Sequence, residues 1–316
     1  MIEGIPKISV IVICYKQEEL IKRAIDSLLA QKDYIYEICV SDDCSPDRTW
    51  EVLQEYDKQY PGLFKLHQNR PNVGIFENIE YTWTMPTGDI IYRLAGDDEC
   101  GEGWFKTVIE FIQNNHIDYK NELFCIYANH QCRYPNEDSI TIKNKYVNRG
   151  FNRVRLYERG LLYNRGCTYS IKVLNKFHKV SRGRSYVVEN AQDSQVHIFS
   201  EIPYYIDKIA NIYYSSIGVS SSINSGRVKE YENTMIYAFD FFKSIGLSFP
   251  NSDMNLPQFN IAQKHFRWSP SLINYSKLVI AYFKSFDFPL SFYGIDLKRK
   301  IFALLRRLPH TKSVNW

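Results

Sequence analysis

The sequence predicts an α/β fold in which a mostly parallel central sheet is flanked by helices and followed by a helical C-terminal extension. Strand-like and helix-like segments alternate through the first half of the 316 residues, which is typical of a parallel sheet covered on both faces. The first strand-like segment is a continuous apolar run, as expected for a strand buried on both faces. Polar clusters follow three of the strands, at the end where such sheets bind ligands.

The first elements can be assigned in order from their local patterns. Residues 7–15, KISVIVICY, form a predicted strand rich in β-branched side chains, and residues 36–43, YEICVSDD, form the next one. Residues 18–31, which lie between them, place a set of apolar side chains on one helical face: Leu20, Ile21, Ala24, Ile25, Leu28 and Leu29.

A second helix is predicted over residues 45–60, where Ser45 is a natural N-cap, Pro46 suits the first helical position and Asp47 complements the helix dipole. The remaining predictions are strands over 63–69, 88–94 and 122–130 and helices over 75–85 and 103–115. The alternation is lost after about residue 133, and helical patterns return after about residue 228. These changes divide the chain into residues 1–222 and a helical region, residues 223–316.

The composition narrows the class of protein. Hydrophobic residues at 45% and charged residues at 23% indicate a soluble globular chain, and a net charge of +4 does not by itself imply a nucleic-acid partner. The seven cysteines form no C-x-x-C pair, which favours free thiols in a reducing compartment over a disulfide framework or a zinc site. No apolar run reaches roughly 18 residues, so we expect no transmembrane helix. We therefore expect a cytoplasmic protein that does not bind nucleic acid.

Three polar clusters follow predicted strands, at residues 15–18, 42–45 and 97–99. Because the carboxyl ends of parallel strands lie at one edge of a sheet, we expect these clusters to converge. In the third cluster Asp97 and Asp98 follow Gly96, and a hard divalent cation such as Mn²⁺ or Mg²⁺ would relieve the repulsion between the two carboxylates. The alternative for an isolated acidic pair is a capped turn with two solvated carboxylates.

Four segments resemble the family 2 glycosyltransferases in their order and spacing: ISVIVICYKQEELIKRAIDSLLAQ, YEICVSDDCSPDRTWEVL, NRPNVGIFENI and GDIIYRLAGDDE. The similarity is specific over residues 7–105, weaker over residues 167–222 and absent beyond them. It implies the GT-A fold, a Rossmann-like arrangement, and the use of nucleotide-activated sugars.

The resemblance implies roles for five residues. Tyr15 is expected to lie against the nucleobase, and Asp43 to accept a hydrogen bond from the imide of uracil. Asn72 belongs to the loop that passes close to the nucleotide. Asp97 is expected to face the ribose or the metal shell, and Asp98 to coordinate the Mn²⁺ or Mg²⁺ that bridges the diphosphate. Helix capping is the alternative role for the carboxylates of Asp42 and Asp43.

The resemblance also implies a general base in an acidic pair that opens a helix after the metal motif. In VVENAQDSQVHIF the matching position is Asp193, which we predict to deprotonate the acceptor hydroxyl, and Glu189 is the second choice. The alternative is an acid on a helix surface. Many members of the family then carry an arginine and a histidine, and residues 212–222, IYYSSIGVSSS, lack both.

The C-terminal segment, residues 297–316, combines apolar side chains at helical spacing with six Lys or Arg and no Asp or Glu. A basic amphipathic helix of this kind is typical of proteins that lie on anionic membrane surfaces, which would place the protein at the inner face of the cell membrane. A helix that packs on the protein with its charges in water explains the same pattern. The sequence leaves both alternatives open.

Together these features predict a metal-dependent, inverting glycosyltransferase with its catalytic domain in residues 1–222. The predicted donor is a UDP-sugar, and the predicted acceptor is a hydroxyl of a glycan or lipid-linked oligosaccharide. The resemblance alone implies a role in bacterial surface-polysaccharide synthesis. Two other classes remain open. A sugar-nucleotide nucleotidyltransferase should carry a Gly-rich basic loop after the first strand, where this chain has CYKQEE. A non-catalytic nucleotide- or carbohydrate-binding module would bind the same ligands without turnover.

Overall fold

The computed structural model describes residues 4–135, 138–144, 147, 165–177, 195–215, 262 and 271–284. By the contacts of its backbone the chain divides into two compact units. The first comprises Met1–Tyr157 and Leu162–Ile223, and the second comprises Glu158–Leu161 and Asn224–Trp316. The assignment of a catalytic role to residues 1–222 stays a prediction.

Strands and helices alternate through the first unit as far as residue 133. The strands are β1 Ile8–Cys14, β2 Glu37–Asp42, β3 Phe64–Gln68, β4 Ile90–Ala95, β5 Glu99–Cys100, β6 Phe124–Arg133, β7 Ser139–Ile142, β8 Thr168–Ser170 and β9 Ile202–Tyr214. The helices are α1 Leu20–Leu29, α2 Thr49–Gln59, α3 Ile75–Thr82, α4 Trp104–Asn114 and α5 Ile171–Leu174, with a short 3-10 helix at Lys32–Tyr34. Residues 195–199 are also helical. In the second unit the structure describes the helix α6, Leu272–Lys284.

The nine described strands form one sheet in the order β3-β2-β1-β4-β8-β6-β9-β5, with β7 paired to β6. The strands β3, β2, β1 and β4 are parallel to one another. Beyond β4 the sheet is mixed, because β8 runs antiparallel to β4 and β6, β9 runs parallel to β6, and β5 runs antiparallel to β9. The predicted α/β class is confirmed, and the mixed half of the sheet is an addition to it.

The core forms around β1, which has a parallel neighbour on each side. Val10 pairs with Ile38 of β2 and with Tyr92 of β4, and all three side chains are fully buried. Helix α1 packs its predicted apolar face inward, with its most deeply buried positions at Ile21, Ala24, Ile25 and Leu28. Full burial of a large aliphatic side chain contributes roughly 1.5–3 kcal/mol to the stability of the fold. These contacts therefore account for the positions of β1 and α1.

Helix α2 begins later than the sequence predicts. Its first residue is Thr49, so Ser45 is not its N-cap and Pro46 lies outside the helix. The hydroxyl of Ser45 donates instead to the carboxylate of Asp42, within the turn after β2. The backbone N–H of Thr49 donates to Asp47 Oδ1 over 3.1 Å. The N-cap prediction is wrong because the Ser45 hydroxyl is already used by the strand end that precedes it.

Strand β9 is the second difference. Residues 202–214, IPYYIDKIANIYY, form a strand of 13 residues where the sequence predicted a loss of regular alternation. The strand pairs with β6 over most of its length and with β5 at its end. Most of its side chains are partly buried, so the sequence shows no clean alternation of apolar and polar residues.

None of the seven cysteines, all of which are among the described residues, forms a disulfide, as the sequence predicts. In the described part of the chain, no helix combines the length and the apolar character that crossing a membrane requires. Residues 297–316, which carry the basic amphipathic pattern, lie outside the described residues.

A buried carboxylate joins the beginnings of the parallel strands. The Glu37 side chain is 3% exposed, accepts hydrogen bonds from Ser9 Oγ and from the Thr87 backbone N–H, each over 2.6 Å, and pairs with Lys65 Nζ at 2.5 Å. Burial raises the pKa of Glu37, but the hydrogen bonds from Lys65, Ser9 and Thr87 outweigh burial and hold this pKa below its ordinary value. The ionised form is therefore the one that stabilises the fold.

Replacing Glu37 by Gln should lower the free energy of unfolding at pH 7 by about 1.5–3 kcal/mol, because charge-assisted hydrogen bonds are lost. Since the pKa of Glu37 is lower in the folded state, the contribution is fully present above the unfolded value of about 4.3 and is lost as the pH falls through the folded value. Urea unfolding should thus show a difference between wild type and variant that shrinks in acid. The exposed Glu102→Gln variant is the control, and a pH-independent difference for Glu37→Gln would contradict this account.

Candidate functional site

The strands β1, β2 and β4 are adjacent and parallel, so their carboxyl ends lie at one edge of the sheet, here called the carboxyl edge. The backbone N–H of Lys16 donates to Ser45 Oγ over 3.0 Å, and the N–H of Gly96 donates to the carbonyl of Ile13 over 3.0 Å. The loop after β2 therefore contacts the loop after β1, and the turn after β4 contacts the end of β1. The predicted convergence of the polar clusters is confirmed.

Gly96 permits the close approach of β4 to β1. A Cβ at this position would lie 3.0 Å from Cys14 Cβ and 3.1 Å from the carbonyl oxygen of Ile13. Both distances are shorter than ordinary van der Waals contacts, so a side chain would push the strand ends apart. The glycine before the acidic pair thus keeps the two carboxylates next to the end of β1.

Asp42 caps the turn that follows β2. Its side chain is fully buried, and Oδ2 accepts hydrogen bonds from the Ser45 backbone N–H over 3.1 Å and from Gln68 Nε2 over 3.0 Å. Asp42 therefore orders the turn after β2 and does not cap α2, which begins at Thr49.

Asp43 organises the loop that precedes α3. Its buried carboxylate accepts hydrogen bonds from Asn69 Nδ2 over 3.0 Å, from the Val73 N–H over 2.9 Å and from the Gly74 N–H over 2.8 Å. A carboxylate offers about four acceptor positions, so these three bonds leave about one for a ligand. The backbone of Gly74 has a φ of +87°, which favours glycine and directs its N–H at Asp43.

Asn72 and Tyr15 complete this part of the carboxyl edge. Asn72 Nδ2 donates to the backbone carbonyl of Asp43 over 2.6 Å, so the predicted nucleotide loop lies against the turn after β2. Tyr15 follows β1 and is 40% exposed, which leaves much of its ring accessible to solvent. The structure therefore places the three predicted nucleotide-binding residues on adjoining loops.

The acidic pair forms the turn between β4 and β5. Asp97 is half-buried, whereas Asp98 is only 2% exposed. Asp98 Oδ2 accepts a hydrogen bond from Arg165 Nη1 over 2.9 Å and lies 3.4 Å from Asn211 Nδ2. Its other oxygen, Oδ1, is buried and has no hydrogen-bond partner among the described residues. Leaving a buried carboxylate oxygen without a donor is costly, so this atom is available to accept a ligand.

The electrostatics of Asp98 agree with this geometry. Burial raises the pKa of Asp98 to about 6, although the positive charge of Arg165 opposes the shift. The negative charge of Asp97 raises this pKa further, whereas hydrogen bonds from Asn211 and from the Tyr214 backbone lower it. The charged form is therefore only partly compensated by the surrounding protein groups.

A second arginine supports the acidic turn from α1. Arg23 Nη2 donates to the backbone carbonyl of Asp97 over 2.6 Å, and its Nε lies 3.2 Å from Glu99 Oε1. The guanidinium carbon of Arg23 lies 3.5 Å from the centroid of the Tyr214 ring, and the Tyr214 hydroxyl donates to Glu99. A cation on an aromatic face contributes about 0.5–2 kcal/mol. Arg23, which lies on α1, thereby connects the acidic turn to α1 and to Tyr214 of β9.

Two residues of this site were not predicted from the sequence. Arg165 precedes β8, and its guanidinium carbon lies 3.8 Å from the centroid of the Tyr213 ring. Asn211 lies near the end of β9, is fully buried, and has an Oδ1 atom with no partner in the part of the chain that the structure describes. The available signal was a single polar residue inside the run IANIYY, but the pattern of this segment did not predict a strand.

The predicted general base, Asp193, lies outside the described residues, as does Glu189. The helical residues 195–199 follow it, and the Tyr127 hydroxyl of β6 lies 2.8 Å from His197 Nδ1. The helix after the predicted base is therefore packed on the central sheet. The role of Asp193 stays a prediction.

The comparison with protein-family models decides the family. The model of glycosyl transferase family 2 matches residues 9–176, which is more than half of the chain. The chain belongs to this family. The match covers Asp97, Asp98 and Arg165 but ends before Asn211. The putative glycosyltransferase EpsE of Bacillus subtilis is 34% identical over 93 residues, which cover 29% of this chain and 34% of that protein.

Solved structures show the same fold. TarS of S. aureus in complex with UDP-GlcNAc matches with a TM-score of 0.58 and 16% identity, over 87% of this chain and 79% of that one. The mannosyltransferase PcManGT of Pyrobaculum calidifontis, in complex with GDP-Man and Mn²⁺, matches with a TM-score of 0.52 and 14% identity, over 98% and 89%. These matches confirm the predicted GT-A fold of this family 2 chain. The chain spans about a quarter to a third of the length of the curated relatives it matches.

Gly166 holds the segment that carries Arg165 against β9. Its φ is +74°, and a Cβ there would lie 2.6 Å from Ala210 Cβ and 3.3 Å from the backbone nitrogen of Asn211. Gly62, in the turn before β3, has a similar φ of +82° but nothing within 4 Å of the position of its Cβ. Both glycines have a positive φ, but Gly166 lies close to β9 whereas Gly62 has open space around it.

Gly166→Ala and Gly62→Ala should each lose about 1–2 kcal/mol of stability to left-handed strain. Gly166→Ala should lose about 1–3 kcal/mol more, because the added methyl group overpacks against β9. Urea unfolding of both variants measures the difference, and the shared positive φ makes Gly62→Ala the matched control. Equal losses would contradict the close contact between the Arg165 segment and β9.

Proposed function

We propose that the protein is a metal-dependent, inverting glycosyltransferase that transfers a sugar from a UDP-sugar to a hydroxyl of a glycan acceptor. Membership of family 2 supports the reaction class, and the fold shared with TarS, crystallised with UDP-GlcNAc, supports a nucleotide-sugar donor. The observation that carries the proposal is Asp98, a carboxylate buried at the carboxyl edge with one oxygen that has no partner among the described residues.

The residues at this edge fit Mn²⁺ or Mg²⁺. Asp98 Oδ1 and Asn211 Oδ1 are both buried acceptors without a donor among the described residues, and hard cations prefer carboxylate and amide oxygens. Within the described ranges no three His, Cys, Asp or Glu side chains cluster into a complete metal site. That arrangement suits an ion that shares its coordination with substrate phosphates. The PcManGT complex contains both Mn²⁺ and GDP-Man. Asp98 would hold the ion with Asn211 and Asp97, and the bound ion would supply positive charge to the departing diphosphate.

The adjoining loops suit the nucleoside of the donor. The acceptor position that remains on Asp43 can take a hydrogen bond from the imide N–H of uracil, which would favour this base. The exposed ring of Tyr15 offers a face on which a base can stack, and Asn72 brings its loop against the same turn. The acceptor position on Asp43, the exposed ring of Tyr15 and the position of the Asn72 loop together support UDP as the nucleotide.

The transfer is a single in-line displacement in this proposal. The acceptor oxygen forms a bond to the anomeric carbon on the face opposite the diphosphate while the bond from that carbon to the diphosphate oxygen breaks, so the configuration inverts. The proton of the acceptor hydroxyl passes to a carboxylate, for which we propose Asp193. Because Asp98 is buried, the attraction between the bound cation and the diphosphate would act in a partly desolvated environment, where it is stronger than in water.

For the acceptor we propose a glycan or a lipid-linked oligosaccharide used in surface-polysaccharide assembly. The family resemblance supports this class of acceptor. The basic amphipathic pattern of residues 297–316 supports an acceptor at an anionic membrane surface, because each Lys or Arg near such a surface contributes about 1 kcal/mol of attraction.

Release of UDP from a panel of UDP-sugars in the presence of Mn²⁺ tests the proposal. Wild type should release UDP from a preferred donor, and Asp98→Ala should lower the rate by about 100-fold or more, because charge on the leaving diphosphate loses its partner. Asp33→Ala is the control, since Asp33 is 82% exposed and outside the site. Tight binding of UDP-sugars without turnover in wild type would instead favour a non-catalytic binding module.

Asp193→Asn should leave the affinity for the UDP-sugar close to that of wild type and reduce transfer by about 10²–10⁴-fold, the range that general base catalysis contributes. Titration calorimetry measures the affinity, and UDP release in the presence of acceptor measures transfer. Glu189→Gln is the matched control and should retain transfer. Survival of transfer in Asp193→Asn with its loss in Glu189→Gln would assign the base to Glu189.

A further inference from the structure

An arginine occupies the acidic site at the carboxyl edge. Arg165 Nη1 lies 2.9 Å from Asp98 Oδ2, and the Arg165 side chain is 39% exposed whereas that of Asp98 is buried. We propose that Arg165 is an exchangeable counter-ion: it neutralises Asp98 in the metal-free protein, leaves Asp98 when a divalent cation binds, and then pairs with the diphosphate of the donor. This inference rests on the proposed function and adds a diphosphate-binding residue to it.

The Arg165–Asp98 pair has the incomplete geometry expected if Arg165 leaves when a cation binds. A permanent arginine–carboxylate pair commonly uses two parallel hydrogen bonds to both carboxylate oxygens. Here the described contacts of Arg165 and Asn211 with Asp98 both fall on Oδ2, and Oδ1 has no partner among the described residues. A buried ion pair stabilises a fold only when its remaining polar atoms are also satisfied. The pair therefore compensates the charge of Asp98 without completing its hydrogen bonding.

The side chain of Arg165 can leave Asp98 without leaving the site. It is partly exposed, and its guanidinium is stacked on the Tyr213 ring at 3.8 Å, a contact that does not depend on Asp98. The adjacent Gly166 is held against Ala210 of β9 by a close approach of the two backbones. The backbone of the segment is thus fixed while the guanidinium faces both Asp98 and solvent.

The charges decide where the guanidinium goes. A divalent cation on Asp98 repels Arg165, and a diphosphate bound to that cation attracts it, since arginine matches the geometry of phosphate oxygens. Arg23, the other arginine described at this turn, is held by the Asp97 carbonyl, Glu99 and the Tyr214 ring. Arg165 instead pairs with the carboxylate of Asp98 itself, so it is the arginine placed to exchange this anionic partner for a diphosphate.

The test measures Mn²⁺ and UDP binding separately by titration calorimetry. Arg165→Gln should bind Mn²⁺ alone about 5- to 10-fold more tightly than wild type, because the ion no longer displaces a positive charge. The same variant should bind UDP at saturating Mn²⁺ about 10-fold more weakly, because a charge-assisted hydrogen bond to phosphate is lost. Arg48→Gln, which removes an arginine of an exposed pair with Glu55, should leave both affinities unchanged.

A gain in Mn²⁺ affinity cannot result from damage to the fold, so it separates an exchangeable counter-ion from a structural residue. Arg165→Lys keeps the positive charge and should retain an Mn²⁺ affinity close to that of wild type while it still weakens UDP binding, and it serves if Arg165→Gln does not fold. Wild-type affinities for both ligands in Arg165→Gln, or weaker Mn²⁺ binding, would overturn the inference alone. A wild-type protein that binds neither Mn²⁺ nor UDP would overturn the proposed function and the inference with it.

Discussion

The burial of one carboxylate at the end of β4 is the constraint on which the site depends. Asp98 is removed from water, so its charge requires partners that come from distant parts of the chain. Arg165 and Asn211 provide them, from the segment before β8 and from β9. The mixed half of the sheet, which brings β9 against β5, is therefore as necessary to the site as the parallel half that carries the acidic turn.

Acids at the carboxyl edge have similar sequence contexts and different surroundings. Asp42 is used within its own turn, and Asp43 orders the loop before α3. Asp97 is half-buried and is fixed through its backbone carbonyl, whereas Asp98 keeps an oxygen without a described partner. The carboxylates of Asp42, Asp43 and Asp98 thus differ in their partners because their environments differ, as paired carboxylates do in many enzymes.

The sequence predicted the parallel half of the fold well because its signals are local. Apolar runs and helical periodicity depend on neighbouring residues, and the polar clusters lie directly after the strands. The hydrogen bonds of Asp98 to Arg165 and Asn211 span 67 and 113 positions, so no local pattern reveals them. The N-cap assigned to Ser45 was wrong for a related reason, since a rule about helix starts did not include the competing carboxylate of Asp42.

The position of Asp43 has a consequence for changing the donor preference of this chain. The carboxylate for which we propose contact with the base also accepts hydrogen bonds from the backbone of Val73 and Gly74, so recognition and loop folding would share one side chain. A substitution at Asp43 would alter the architecture of the pocket and its chemistry together. Asn72 also bonds to the backbone, through the carbonyl of Asp43, so selection for a different nucleotide would begin at Tyr15, which is 40% exposed.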